Sequence, residues 1–329
     1  MLSSKIKNKA MSITPELSFF PWKPACWLRV QGPDAFSFLQ GQFSNDLRGL
    51  AGGLGGDSGV SGGDEAAVFS ALARAVYGLW LDRKGRILGD GFVLRVGEEC
   101  FFICSYETSG AALRAHLESF IIADEVELFD ETAEVLGLTF FLKEGVPFSL
   151  DLARAGRVFE GRRGARAIEC VGPAAACAEL IAQLNPKMEL SAAEMERRRI
   201  LAKVPAVPRD LGSADLPQEG GASFEQSAVS YTKGCYLGQE VMSRLRSMGR
   251  VRRSLVLVRS EGIAPSELPA PLYLGEKRVG EMRSVVADET PGGFVGLASV
   301  SLHGLPTGSL RLSLSANGPA ALSAELPTA

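Results

Sequence analysis

Chemistry is most concentrated between residues 229 and 240, which read Val-Ser-Tyr-Thr-Lys-Gly-Cys-Tyr-Leu-Gly-Gln-Glu. One thiol, Cys235, follows Lys233 and Gly234; Tyr236, Gly238, Gln239 and Glu240 come after it. A neighbouring ammonium and the N-terminus of a following helix would both favour the thiolate. Gly234 and Gly238 let another group approach the backbone closely. Gln239 and Glu240 offer amide and carboxylate hydrogen bonds suited to gripping a heteroaromatic ring or orienting a helix end. On residue types alone the plainer reading stays open: an ordinary buried cysteine beside a tight turn.

Other residue types narrow the chemistry further. The only histidines are His116 and His303, which excludes a His-rich zinc site and leaves a Ser-His-Asp triad just those two bases. Cys26, Cys100, Cys104, Cys170, Cys177 and Cys235 contain no CxxC pair and match no zinc ribbon or ferredoxin run, so no permanent metal is expected. Five arginines, at 244, 246, 250, 252 and 253, crowd a stretch just past the signature. They suit an anionic ligand tail, a phosphate or an acidic partner surface, or simply a solvated face. Further polar candidates are Gln42, Asn45 and Asp46, the hairpin residues Lys84 and Arg86, and Glu219 in Pro217-Gln218-Glu219.

The chain has 329 residues with a net charge of −3, enough for two or three domains and for a core without staples. Mild acidity, and the lack of aromatics among the arginines, argue against direct nucleic-acid binding. The N-terminal stretch carries lysines without an apolar core, unlike a secretory signal. The longest apolar run, Val68 to Leu81, is too short for a membrane span and contains Arg74. Together with unpatterned cysteines, this gives an expectation of a cytoplasmic protein.

These residues need elements to hold them. Trp27 to Val30 alternates like a strand, and Gly32-Pro33-Asp34 then starts a helix with Phe36, Leu39 and Phe43 on its apolar face. Glycines crowd residues 49–63, which read as a surface loop. From Val68 to Tyr106 three strands form a meander with turns at Arg83-Lys84-Gly85 and Gly97-Glu98-Glu99. A helix over 109–120, strands at 126–129 and 136–142, and an apolar helix over 173–184 follow. Ser191 to Glu194 is a capping box opening a helix through Arg199. Residues 205–224 read as a Pro/Gly/Asp-rich loop, a strand leads into the signature, and a helix should run from it to about Met248. Beyond Arg253, short β segments between Gly and Pro suggest a small barrel or sandwich.

The signature KGCYLGQE resembles that of the YgfZ family, folate-binding relatives of the glycine cleavage T-protein, an aminomethyltransferase. LRVQGPDAFSFLQGQFSNDL (28–47), LDRKGRILGD (81–90), LRAHLESFIIADEVELFDET (113–132), EVMSRLRSMGRVRRSL (240–255) and EKRVGEMRSV (276–285) extend the similarity over nearly the whole chain. The resemblance implies an α+β, T-protein-like ring: two interleaved α+β lobes over residues 1–249, with the meander lobe (about 66–130) inserted, and a C-terminal β-barrel over 250–329. A folate-sized opening would lie at the centre. It implies tetrahydrofolate as cofactor, held by Lys233, Gly234, Tyr236, Gly238, Gln239, Glu240, Gln42, Asn45, Asp46, Arg86, Glu219 and Arg244. It also implies a role in iron–sulfur cluster assembly or repair, with carrier or client proteins as partners and support for enzymes such as tRNA methylthiotransferases. Cys235 would be the reactive thiol or transient cluster ligand. The alternative is a folate-dependent aminomethyl or one-carbon transferase with Asp90 or Glu240 as base. Two departures matter, the first standing against that alternative and the second weakening the residue-level assignment of folate contacts without removing the pocket. Where T-proteins carry Asp-Asp this chain has Gly89-Asp90, and where they carry Arg-Leu-Glu-Ala-Gly it has Arg199-Ile200-Leu201-Ala202-Lys203.

Overall fold

The computed structural model describes residues 17–52, 72–142, 151–248, 251–290 and 292–327. Its first sheet has four strands in the order β1 (Ser18–Trp22), β7 (Val135–Phe141), β9 (Ala167–Pro173) and β8 (Arg157–Glu160), all antiparallel. The second has five: β3 (Ala75–Leu81), β4 (Ile87–Arg95), β5 (Cys100–Ser105), β2 (Cys26–Gln31) and β6 (Glu127–Asp130). The opening strands therefore pair with partners made much later, Phe19 with Phe140 and Trp27 with Cys104.

Both sheets are buried on two faces, which explains why their strands read as near-continuous apolar runs. Between them lies the main core, where Trp22, Trp27, Phe92 and Phe159 meet Val207, Leu211 and Phe224. The outer face of the five-stranded sheet is covered by α1 (Ala35–Gln42) and α2 (Gly110–Glu118), through Phe38, Leu39, Leu113 and Leu117. The four-stranded sheet is covered by α3 (Ala174–Ile181), which brings Cys177 and Leu180 against Leu138 and Phe140. Along α1 the buried residues are Ala35, Phe38 and Leu39, and Phe43 caps the helix from the core; Phe36 is only partly buried.

The capping box forms at the start of α4 (Ala192–Leu201), with Ser191 and Glu194 exchanging hydrogen bonds. Next comes α5 (Ala222–Ala228), then α6 (Gln239–Met248). The last sheet runs in the order β11 (Ala270–Leu274), β12 (Lys277–Ala287), β13 (Phe294–Ser301), β10 (Arg253–Ser260), β15 (Leu322–Leu326) and β14 (Gly308–Leu312). It curls until Tyr273, at one edge, exchanges two backbone hydrogen bonds of 2.9 and 3.0 Å with Ser313 beyond the other. Alternation along β10 puts Ser254, Val256 and Val258 inside the curl, while Leu255 and Leu257 face Ile200 of α4 outside it.

Two readings from sequence need correction, the strand before the signature and the start of the meander. No strand leads into the signature; α5 and an irregular segment do, because Phe224 and Ala228 fill the main core from a helix. Residues 205–216 form the loop read from sequence, but a largely buried one: Ala206, Val207, Asp210, Leu211 and Asp215 are all buried, as is Glu219 just after it. Of the clustered arginines, Arg244 and Arg246 lie on α6 and Arg253 opens β10, while Arg250 lies outside the described residues. The first meander strand starts at Ala75, residues 68–71 and most of the glycine-rich 49–63 stretch being outside the described residues.

Candidate functional site: the signature turn and the cavity behind it

Cys235 is exposed, the only one of the six cysteines that is; Cys100 is intermediate and the other four are buried. The turn that carries it is fixed from beneath. Lys233 is only 7% exposed, and its ammonium donates to three backbone carbonyls at the end of α1: Gln40 at 2.6 Å, Phe43 at 2.5 Å and Asn45 at 2.9 Å. Lys233 thereby satisfies a helix terminus that would otherwise leave carbonyls orphaned. Burial pushes its pKa down to about 8, with Asp46 opposing the fall and Arg48 adding to it. The expected activation of the thiol by this ammonium is corrected: its donors are spent on α1, and it has none free for a cofactor.

Both signature glycines have positive φ, 101° at Gly234 and 86° at Gly238. At Gly234 a Cβ would meet nothing within 4 Å, so only backbone geometry demands glycine. At Gly238 a Cβ would lie 2.7 Å from the Asp82 carbonyl and 3.2 Å from the Gly85 Cα. The turn at 82–86 thus rests directly on the start of α6, joining two motifs far apart in sequence. Tyr236 is buried with its hydroxyl unpartnered, and burial pushes its pKa up to about 12. Gln239 is half-buried and Glu240 exposed at the start of α6.

The remaining sequence candidates are spread wider than one site. Asn45 is structural, donating to the carbonyls of Tyr77 at 2.7 Å and Ser227 at 2.9 Å. Asp46 chelates Arg48, whose hydrogen bonds hold its carboxyl far below the usual range. Gln42 is half-buried with its carbonyl oxygen unpartnered. Arg244 is exposed on α6, and Arg246 stacks on Tyr231 at 4.1 Å. Arg86 and Glu219 lie together on a separate cleft.

Apart from the signature turn, a cavity of about 180 Å³ opens between β4, the 106–107 corner, α4 and residues 204–207. Asp90 lines it, 5% exposed, accepting from Tyr77 at 2.8 Å, Ser105 at 3.0 Å and Thr108 at 2.9 Å. Burial raises its pKa despite those three donors. Across the cavity Tyr106 donates to fully buried Glu169 at 2.7 Å, and burial raises the Glu169 pKa too. Arg163 lies 4.1 Å from the Tyr106 ring centre and 4.4 Å from that of Trp22. Glu196 is pushed up by burial but pulled down to about 2 by Arg199 and Arg209.

Sequence reasoning passed over Tyr106, Arg163 and Glu196. Glu196 lies on the same helix as Leu201, the residue singled out by the family comparison, but Leu201 is 37% exposed and outside the cavity lining. Lys203, where T-proteins have glycine, keeps the left-handed backbone at φ 56°.

Carboxylates, a tyrosine edge and apolar Phe20, Met195 and Val207 suit a flat, amino-bearing ring such as a pterin. At about 180 Å³ the cavity has room for the ring system and not for a whole folate, since drug-sized ligands take roughly 300 Å³ or more. Among the described residues no three His, Cys, Asp or Glu side chains come together as a metal site. None of the described helices is long and apolar enough to cross a membrane.

Two antiparallel sheets packed around one core with a curled third sheet beside them form a mixed α/β architecture of the aminomethyltransferase-like fold class. Consistently, the structure is similar to the glycine cleavage system aminomethyltransferase T of Bartonella henselae: TM-score 0.68 and 18% identity, covering 94% of this chain and 85% of that one. Two curated relatives go further. The chain is 31% identical over 320 residues to the human mitochondrial iron-sulfur cluster assembly factor IBA57, covering 91% of this chain and 82% of the relative. It is 25% identical over 298 residues to the tRNA-modifying protein YgfZ of Edwardsiella ictaluri, covering 88% and 85%. No family model matches the chain. The chain belongs to the YgfZ/IBA57 family and shares the fold of the T-protein.

Proposed function

We propose that this protein is a tetrahydrofolate-binding accessory factor for the assembly or repair of iron–sulfur clusters. Its clients would be cluster enzymes such as tRNA methylthiotransferases. The observation that carries this reading is the exposed Cys235 on a turn clamped to α1 by Lys233, in a family whose human member is named for cluster assembly. A lone thiolate cannot hold a cluster that needs four ligands, so the remaining ligands come from a carrier protein or a small thiol.

In this reading the pterin ring of the cofactor occupies the cavity at Asp90, Tyr106 and Glu196, and the rest of the folate projects from it through the central opening of the ring. Bound there, a reduced folate would supply one-carbon or redox chemistry, while Asp90 and Glu196 orient the ring and apolar walls exclude water. The division at residues 249 and 250 and a cytoplasmic location complete the reading, although the human relative is named as mitochondrial.

Replacement of Cys235 by Ala should impair cluster-dependent enzymes in cells under oxidative stress; full retention of their activity would remove the thiol from the function. Calorimetric titration with tetrahydrofolate tests the cofactor. A second reading, aminomethyl transfer, is favoured by one feature, the buried Asp90 carboxylate at the cavity wall. Turnover of tetrahydrofolate with an aminomethylated carrier would select it; binding without turnover selects the accessory role.

A further inference from the structure

The gap between the two antiparallel sheets is not closed everywhere. At one mouth a cleft of about 500 Å³ opens between Trp27 and Phe102 of the five-stranded sheet and Val135, Val171 and residues 153–157 beside the four-stranded one. It shares no lining residue with the cavity at Asp90. Its volume lies within the range of small-molecule sites, roughly 300–1,000 Å³. Alternation along the strands explains the opening. On β2, Trp27 faces the main core and Leu28 and Val30 face α1 and α2, so Arg29 is the next residue on the inner side. On β8, Phe159 faces the core and Val158 the opposite side, so Arg157 points into the gap beside Phe159. The core therefore ends in a flat aromatic floor, with the rings of Trp27 and half-buried Phe102 stacked 4.6 Å apart and 19° from parallel.

The charges at this mouth pair off except for two. Arg29 lies 2.6 Å from Glu131, and Arg154 lies 2.9 Å from Asp151. Half-buried Arg157 and exposed Glu134 also line the cleft, and neither side chain has a hydrogen bond or ion pair among the described residues. They come from the two strands that flank β9. Arg157 and Gly137 both pair with Val171, and Val135, next to Glu134, stands two residues before Gly137. Two strand spacings and two residues put Arg157 and Val135 about 12 Å apart along the sheet. A free cation and a free anion thus flank one apolar floor. A simple anion would suit Arg157 and be repelled by Glu134, and a simple cation would meet the reverse. A head group carrying both charges satisfies both residues: the guanidinium takes a carboxylate bidentately, the Glu134 carboxylate takes an ammonium, and a flat ring lies against the Trp27–Phe102 stack.

We propose that this mouth binds a free α-amino acid with an aromatic side chain, and that Arg157 and Glu134 select its zwitterionic head. The site is independent of the folate reading and of Cys235.

The probe is L-phenylalanine, titrated calorimetrically into the full chain beside 3-phenylpropionate, which lacks the ammonium, and 2-phenylethylamine, which lacks the carboxylate. L-Phenylalanine should bind, and each analogue should bind at least about tenfold more weakly. Arg157→Gln should weaken L-phenylalanine by about the same factor and leave 2-phenylethylamine no weaker. Glu134→Gln should weaken L-phenylalanine and leave 3-phenylpropionate no weaker. Neither substitution removes a contact, and Arg311→Gln, at an exposed position on β14, serves as the control that changes nothing. Absence of L-phenylalanine binding, equal binding of either analogue, equal binding of glycine, or an Arg157→Gln variant that behaves like the control would overturn the proposal.

Discussion

The ammonium of Lys233 sits 2.5 Å from the carbonyl oxygen of Phe43, so the signature turn and the end of α1 are one structure. Removing that ammonium would strand three carbonyls. Lys233→Met should therefore lower stability by about 2–4 kcal/mol, given ~1.5–3 kcal/mol for a hydrogen bond to a charged group and partial relaxation of the rest. Urea unfolding measures it, and loss of less than a tenth of the native stability would show that water replaces the ammonium freely.

The two signature glycines should behave differently on substitution. Gly234→Ala meets only backbone strain, about 1–2 kcal/mol. Gly238→Ala adds a clash with the Asp82 carbonyl and should cost more, about 3 kcal/mol, and displace the hairpin. Equal midpoints for the two variants in urea would contradict the contact between hairpin and α6.

Arg199 reaches Asp210 at 2.6 Å with the carboxylate fully buried, and Asp210 in turn holds Ser284 of β12. Arg199→Met would leave a buried charge unpaired, costing about 3–5 kcal/mol. The melting temperature should fall by several degrees, and the curled sheet should become susceptible to proteolysis at its junction with α4.

Asp90 and Glu169 set a pH dependence. Burial raises both folded pKa values above the ordinary 3.8 and 4.5. Between the ordinary and the raised value the folded chain holds protons that the unfolded chain has released, so stability falls as pH rises through that window. Asp90→Asn cannot titrate and should flatten the Asp90 share of this slope. Unfolding free energies measured from about pH 4 to about pH 8 would reveal it, and an unchanged slope would show that Asp90 has an ordinary pKa in the folded protein.

Thiol accessibility gives a direct assay of the exposed cysteine. One thiol should react rapidly with an aromatic disulfide reagent, Cys100 more slowly, and the four buried thiols only on unfolding. Cys235→Ala should remove the fast phase alone.

Much of this was legible from sequence because it is local. Gly238 and Gly234 announce backbone conformations that only glycine adopts easily, and Ser191 with Glu194 announces a helix start. Lys233 was read as a partner of its neighbour Cys235 because its true partners are carbonyls near residue 43, which no spacing rule reveals. Asp210, Asp215 and Glu219 looked like loop residues for the same reason. Their arginines come from α4, β10 and β12, and only the assembled chain shows that this polar segment is a buried joint. Leu201 drew attention by alignment, whereas the carboxylate that lines the cavity, Glu196, stands earlier on the same helix.

The order of the strands bears on how the chain reaches this state. Strands β1 and β2 leave the ribosome well before their partners, for Phe19 pairs with Phe140 and Trp27 with Cys104. At translation rates of about 5–20 residues per second, two apolar strands wait on the order of ten seconds with open edges. The nascent chain is thus most exposed to aggregation between the emergence of β1 and that of β7, and its dependence on holding chaperones should fall once β5 and β7 have emerged.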